Sequence, residues 1–177
     1  MDGRIIKSIT PGYFIASTQH LLHQDFSKSV ILITSWDGKH YSGIKINHIL
    51  PARPGQKNRL QIYNGGNIAK KVANLLHRPD MTWSKTKKIT DNICMTNIEK
   101  NGIDLENDPL PKESIIVYGF TTWTKNRLED EIKGNWWIPI DGNEDLLFSV
   151  PVVNRWYYAY NTTSTTPDCV SIDIARS

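Results

Sequence analysis

The sequence predicts a single domain of the α+β class. Short strand-like runs recur between Tyr13 and Val150, one clear amphipathic helix occupies Asn126–Lys133, and there is neither a regular βαβ repeat nor an internal duplication. A chain of 177 residues buries roughly 70% of the surface that its unfolded form exposes, which is enough for one substantial core. We therefore expect one domain over residues 1–177, with a loose polar segment from about residue 160.

Four strands are expected in the first part of the chain, at Tyr13–Ser17, Ser29–Trp36, Tyr41–Ile46 and Leu60–Tyr63. The second is the clearest because it is rich in β-branched residues and free of charge. Asp37-Gly38 is a strong turn signal, so the second and third strands are expected to form a hairpin. Pro51–Asn58 has the proline and glycine content of a surface loop.

The segment Ile68–His77 is ambiguous. Ile68, Val72, Leu75 and Leu76 recur at helical spacing, and the alanines and lysines between them are good helix formers. The pattern alone therefore predicts a helix. A short apolar run cannot by itself distinguish a helix from a buried strand, however.

Four further strands are expected in the second part of the chain, at Ile93–Met95, Ser114–Tyr118, Trp136–Pro139 and Leu146–Val150. The helix Asn126–Lys133 is indicated by Leu128 and Ile132, which fall on one face at i and i+4. Gly134 follows at a position where helices often end. Pro151–Ala159 is expected to form a closing helix.

Charge is divided unevenly along the chain. Residues 1–90 carry 14 basic and 4 acidic residues, a net of +10, whereas residues 91–177 carry 7 and 14, a net of −7. This asymmetry marks a nucleic-acid-binding half in some proteins, but it also fits a polarised globule or two halves that interleave so that opposite charges meet, and we favour the latter two interpretations. The basic residues are also scattered, with Lys85, Lys87 and Lys88 expected in one loop.

The glycine pair in Asn64-Gly65-Gly66 ends a predicted strand, which is the layout of a phosphate-binding loop if a helix follows. Neither the dinucleotide fingerprint nor the Walker sequence is present. We therefore favour a turn in which glycine supplies a positive φ.

The residue types that bind metals or carry catalysis form no recognisable set. His20 and His23 stand three apart with only Asp25 nearby, so surface histidines are expected rather than a metal site. Cys94 is expected to be a buried, inert thiol, and Cys169 lies in a polar segment. No nucleophile signature is present. We expect no metal, no cofactor and no catalytic residues.

Six tryptophans are many for this length. Trp123, Trp136 and Trp156 lie in or beside the expected elements, where they would form either a stacking platform for nucleic-acid bases or anchors of a core. We favour packing, because large aromatic rings are mostly buried.

Short motifs in a fixed order resemble the bacterial YqgE/AlgH family over residues 12–158. The matching pieces are Tyr13–Ser17, Phe26–Val30, Gly43–Asn47, Gly65-Gly66, Gly119–Trp123, Leu128–Ile132, Asn135–Trp137, Leu147-Phe148 and Arg155-Trp156. The chain departs from the family pattern at Ile49 and Asn67, where proline is common, and after Trp156, where a polar tract replaces a typical helix.

The resemblance implies a bifurcated, mostly antiparallel sheet that curls into a partial barrel, with helices packed outside. It also implies that Val72–His77 is a strand, and we follow it against the periodicity. Members of the family are described as transcriptional regulators, and no catalytic residues are established for them.

These observations lead to a working hypothesis of a non-catalytic, cytoplasmic regulator that acts through contact with an unidentified protein or small ligand. The two cysteines and the absence of a signal peptide or membrane span in the sequence favour the cytoplasm. The candidate contact region, based on the family motifs, is Gly43, Asn47, Gly65, Gly66 and Trp123. The alternatives are nucleic-acid binding by the basic half, although no helix-turn-helix is recognisable, and an unrecognised enzyme.

Overall fold

Nine β-strands and three α-helices are present in residues 9–51 and 61–164, which are the residues that this computed structural model describes. The strands are β1 (Phe14–Ser17), β2 (Val30–Trp36), β3 (His40–Lys45), β4 (Ile62–Asn64), β5 (Ile68–His77), β6 (Thr86–Lys88), β7 (Cys94–Asn97), β8 (Ser114–Thr124) and β9 (Trp137–Ile140). The helices are α1 (Lys125–Lys133), α2 (Asp145–Phe148) and α3 (Arg155–Ser164). The expected α+β class is confirmed.

The strands lie in the order β6-β7-β5-β8-β3-β2-β1-β9, and β4 pairs with β8 outside this path. Every pairing is antiparallel except that of β4 with β8, which is parallel. β2 and β3 form the expected hairpin, in which Leu32 lies opposite Ile44. The sheet curls into a half-barrel against which the helices pack, as the family resemblance implies.

The sheet divides at the middle of β8. Residues 116–118 pair with β4 and β5, whereas residues 121–124 pair with β3. Between them Gly119 has a φ of +76°, a left-handed conformation that favours glycine. We call this place the fork, and it is the bifurcation that the family resemblance implies.

The glycine pair lies against the fork. A Cβ atom at Gly65 would come within 2.3 Å of the Gly119 carbonyl oxygen, and one at Gly66 within 2.2 Å of the Phe120 carbonyl oxygen. The Gly65 N–H donates to the Tyr118 carbonyl at 2.7 Å. The pair therefore permits a close approach of two backbones. It is followed by the strand β5, so it does not have the strand-glycine-helix layout of a phosphate loop.

The helix that periodicity alone predicts over Ile68–His77 is wrong, and the strand implied by the resemblance is correct. Leu75 and Leu76 are buried on opposite sides of β5, between β7 and β8. The register against β8 shifts between Ile68 and Ala73, which is a bulge, and residues 68–71 are exposed. Burial on both faces and the bulge together produce a spacing that resembles that of a helix.

The last part of the chain differs most from expectation. Leu146–Val150, expected as a strand, is largely occupied by the helix α2. The closing helix α3 begins later than expected and continues to Ser164, so the polar tract expected to be loose from about residue 160 begins inside a helix. Trp156, Ala159 and Thr163 are buried along one face, which explains why the tract is helical. The rest of the tract and Cys169 lie outside the described residues.

Two smaller differences concern loops. Lys87 and Lys88, expected in a loop, lie in the short edge strand β6. Of the expected loop Pro51–Asn58, only Pro51 is among the described residues. None of the helices in residues 9–51 and 61–164 is long and apolar enough to cross a lipid bilayer.

The strand β2 contributes to two cores, one on each face of the sheet. Val30 and Leu32 pack with Trp156 in one core, while Ile31 and Ile33 pack with Trp123 and α1 in the other. Because both faces are covered, residues 30–33 of this strand are all apolar instead of alternating with polar residues. The second core carries the helix α1, and α1 positions the candidate site.

Candidate functional site

The candidate contact residues lie mainly along β3 and the fork, and they are mostly buried. A Cβ atom at Gly43 would lie 3.3 Å from the Trp123 ring, so these two residues are neighbours. Gly65 and Gly66 lie farther along β3, where the Gly65 carbonyl accepts from the backbone N–H of Lys45 at 2.9 Å. Asn47 lies beyond the end of β3. The structure therefore brings together Gly43 and Trp123, and separately the glycine pair.

Asn47 holds the connection between β1 and β2. Its side-chain oxygen accepts from the Val30 N–H, and its amide nitrogen donates to the Lys28 carbonyl, both at 2.8 Å. Lys28 has a φ of +50°, which is uncommon for a residue other than glycine. The Asn47 amide therefore stabilises a turn of unusual backbone conformation.

Trp123 is bound to a buried carboxylate. Its indole N–H donates to Glu131 Oε2 at 3.0 Å, and the Trp137 indole donates to the same oxygen at 2.8 Å. Arg127 Nε donates to Glu131 Oε1 at 2.8 Å. Both oxygens therefore have donors, and charge-assisted hydrogen bonds of this kind hold the carboxylate in one orientation.

A groove lies beside this carboxylate, on the surface of α1. It is lined by Arg127, Asp130, Glu131, Gly134 and Trp136 and has a volume of about 480 Å³. The lining residues of the helix and its cap recur at three- and four-residue intervals, which places them on one face. The Trp136 side chain, 46% exposed, forms the other wall. We call this feature the α1 groove.

The turn after α1 fixes the position of Trp136. Gly134 ends the helix as expected, but its φ is −73°, and Asn135 has the left-handed φ of +58°. The Trp136 N–H then reaches back to the Glu131 carbonyl at 2.9 Å, which is a Schellman-type helix end. Thr18 donates its hydroxyl to the Asn135 carbonyl at 2.6 Å and its N–H to the Trp136 carbonyl at 2.9 Å.

Sequence reasoning missed the groove residues Arg127, Asp130, Gly134 and Trp136 as a site. The available signal was the tandem Trp136-Trp137 after a helix end, because neighbouring residues of a strand face opposite ways. Trp137 is 2% exposed, while Trp136 is about half exposed. The expectation that tryptophans pack is met by Trp123 and by Trp156, but not by Trp136.

A second polar cluster lies beneath the β1–β2 connection. Ser29 Oγ lies 3.1 Å from His48 Nε2, and Lys45 Nζ donates to the Asp25 carbonyl at 2.8 Å. Burial lowers the pKa of Lys45, and burial together with the nearby Lys45 charge lowers the pKa of His48. Ser29 has no exposed surface, and no carboxylate among the described residues hydrogen-bonds to His48. The cluster fastens the connection to β3.

The histidines and cysteines of the described residues are dispersed. His20 and His23 are exposed, and residues 9–51 and 61–164 contain no group of three or more acidic, histidine or cysteine side chains that could hold a metal ion. Cys94 is buried, and burial raises the pKa of its thiol, which lowers its reactivity.

The basic and acidic halves of the chain interleave. Arg78 pairs with Glu113 at 2.9 Å and with Glu144 at 3.6 Å, so basic and acidic segments meet. β8, from the acidic half, lies between β3 and β5 from the basic half. Lys70 and Lys71 are nevertheless exposed in the bulge of β5. The charge asymmetry of the sequence therefore does not separate the molecule into two lobes.

Comparison with known proteins places the chain in a family. The family model described as AlgH-like matches residues 14–167. A UPF0301 protein of Hydrogenovibrio crunogenus is 30% identical over 91% of this chain and 93% of its own length. A UPF0301 protein of Vibrio cholerae is 26% identical over 93% of this chain and 97% of its own length.

Two solved structures have the same fold. The solution structure of the AlgH protein from Pseudomonas aeruginosa has a TM-score of 0.71, with 18% identity over 97% of this chain and all of the other. A crystal structure of a protein from Corynebacterium diphtheriae has a TM-score of 0.69, with 15% identity over 93% of each chain. The order of motifs, the forked half-barrel and the family match agree, and the chain belongs to the AlgH-like family.

Proposed function

We propose that this protein is a non-catalytic cytoplasmic regulator that binds a partner protein or a small ligand at the α1 groove. The observation that carries the proposal is Trp136, whose large ring is held open to solvent by a fixed helix end. Tryptophan is strongly enriched among the residues that dominate the energy of interfaces. An exposed ring in a fixed position binds with little loss of conformational entropy.

Binding rather than chemistry is supported by the state of the reactive side chains. Both oxygens of Glu131 are occupied by indole and guanidinium donors. Ser29, which lies beside His48, is fully buried. A catalytic hydroxyl must reach a substrate, and the Ser29 hydroxyl has no exposed surface although His48 is only half-buried.

The contact region predicted around Gly43, Asn47, Gly65, Gly66 and Trp123 stays a prediction. In our proposal Trp123 belongs to the site through Glu131, whose carboxylate lines the groove and accepts its indole N–H. The other four residues shape the sheet that carries α1.

The test is capture of ligands from a native cell extract with the wild-type protein and three folded variants. Trp136→Ala and Asp130→Asn alter the groove, while Tyr158→Ala removes an aromatic ring that is 41% exposed on α3. We expect a partner that the wild type and Tyr158→Ala retain and Trp136→Ala loses. A partner set that is the same for all four proteins contradicts the proposal.

Nucleic-acid binding is a second candidate, favoured by the exposed lysines of β5 and β6, namely Lys70, Lys71, Lys87 and Lys88. Such binding weakens steeply with salt because counterions are released from the phosphates. Changing Lys70 and Lys71 to Gln should then reduce DNA or RNA binding at ~50 mM salt. No binding by the wild type at that salt concentration would exclude this candidate.

A further inference from the structure

The α1 groove has an uncompensated negative charge at one end. Asp130 is exposed and has no hydrogen bond or ion pair through its side chain to any described residue. Glu131 lies beside it, and its charge is paired with Arg127 through a 2.8 Å contact. Asp130 therefore leaves the lining with a net charge of −1, from one arginine and two carboxylates.

The Trp136 ring adds to this preference for a cation. The carbonyls of Asp130, Glu131 and Ile132 already accept backbone N–H groups at the end of α1, so the ring and not the helix end supplies the attraction. Trp136 lines the groove beside the helix end, and the face of an indole ring attracts cations by about 0.5–2 kcal/mol. Lys133 is a cation of the last turn, but it is not among the residues that line the groove.

The shape of the groove distinguishes a small-molecule cation from a cationic side chain of another protein. A small-molecule pocket usually buries most of its ligand. Here Arg127, Asp130 and Trp136 are all exposed, so the groove covers only one side of a bound group. That geometry suits a side chain presented by another protein.

We propose that the α1 groove binds a lysine or arginine side chain on a partner protein, with the cation on the Trp136 ring and beside the Asp130 carboxylate. The inference rests on the proposed function and specifies the chemistry of its partner. In this inference Arg127 neutralises Glu131, so Asp130 is the carboxylate that remains accessible to the ligand.

The test is fluorescence anisotropy with a labelled oligolysine peptide, with an oligoglutamate of equal length as the control for charge. We expect the wild type to bind oligolysine only, about tenfold more tightly than Trp136→Ala and about fivefold more tightly than Asp130→Asn. Trp136→Phe keeps a ring and should fall between the wild type and Trp136→Ala. Urea unfolding confirms that each variant is folded.

The matched control is Glu106→Gln, which removes an exposed negative charge outside the groove. Equal weakening by Glu106→Gln and Asp130→Asn would show attraction by net charge alone and overturn the inference. If free N-acetyl-lysine amide binds as tightly as oligolysine, the inference that the ligand is a side chain of a partner protein is wrong. If capture of the partner requires Trp136 but not Asp130, the inference of a cationic ligand is wrong while the proposed function stands. If capture requires neither residue, both the inference and the proposed function are wrong.

Discussion

The fork and the α1 groove differ in what their unusual residues do: those of the fork pair within the molecule, whereas those of the groove face solvent. At the fork, Gly65 and Gly119 bring two backbones into contact, and their polar groups pair with one another. At the groove, Asp130 and Trp136 are held by rigid backbone yet leave a carboxylate and a ring open to solvent. The glycines of the fork are used within the sheet, whereas the Asp130 carboxylate and the Trp136 ring remain accessible to another molecule.

The difference indicates that exposed side chains on rigid backbone, and not the motif residues, form the binding surface in our proposal. The glycine and asparagine motifs are conspicuous in the sequence, but these residues serve the fold. The Asn47 amide, for example, hydrogen-bonds to the backbone of Lys28 and Val30. In our proposal an exposed aromatic ring on a fixed backbone, such as that of Trp136, is the better guide to a binding surface.

The largest effect is expected from Gly65→Ala at the fork. The new Cβ would clash with the Gly119 carbonyl oxygen, so the sheet must shift, and we expect a loss of about 3 kcal/mol in the free energy of unfolding by urea. Gly102→Ala is the matched control, because Gly102 has a φ of +63° but open space around it. We expect that control to lose about 1 kcal/mol from backbone strain. Equal losses would mean that close approach is not what Gly65 provides.

A smaller effect is expected from Glu131→Gln. Glu131 joins the sheet to the groove, because it accepts from Trp123 of β8 and lines the α1 groove. The change removes the charge that accepts from two indoles and Arg127, and we expect about 2 kcal/mol of destabilisation by urea unfolding. Glu129→Gln is the control, since Glu129 forms a 3.9 Å surface pair with Lys125 and its loss should cost less than about 0.5 kcal/mol. If the two variants are equally stable, the buried carboxylate does not organise α1.

The end of β5 should also respond to acid. Burial lowers the pKa of His77 below 6.5, so the unfolded chain takes up the proton first as the pH falls. The contribution of the neutral ring is present above pH 6.5 and is lost as the pH falls towards the folded pKa. We expect stability to fall as the pH drops below 6.5, and His77→Gln to reduce that fall. An NMR titration in which the His77 ring has a midpoint at or above 6.5 would contradict this.

The smallest effect on stability is expected from Trp136→Ala. Because about half of the residue's surface is exposed, only part of its apolar contact is lost, and the free energy of unfolding should fall by about 1.5 kcal/mol. Urea unfolding followed by circular dichroism measures it. A loss as large as that of Gly65→Ala would assign Trp136 to the scaffold and remove the contrast between the two regions.

Much of the fold could be predicted because its signals are local. The β2–β3 hairpin follows from an apolar run, an Asp-Gly turn and a second run, and α1 follows from Leu128 and Ile132 on one face. The forked half-barrel came from the family resemblance and not from the pattern. β5 was ambiguous, because burial by two neighbouring strands and a bulge are properties of the assembled sheet.

The candidate site was harder to predict than the fold. Arg127, Asp130 and Trp136 form one groove only because Asn135 takes a left-handed φ and turns the chain back over α1. The helical pattern showed where α1 ends, but not that the next residue would reverse the chain. The glycine and asparagine positions come from the motifs of the family resemblance, and residues of these types are as typical of scaffolds as of binding sites.

The most direct measurement of the central claim is photo-cross-linking in the native cell. A photoreactive amino acid replaces Lys133 in one protein and Tyr158 in another, both positions being exposed, so that the Trp136 ring stays in place. If the α1 groove is the contact surface, the probe at position 133, in the last turn of α1, yields a discrete cross-linked species and the probe at position 158 does not. The same products from both positions, or none from position 133, would contradict the account.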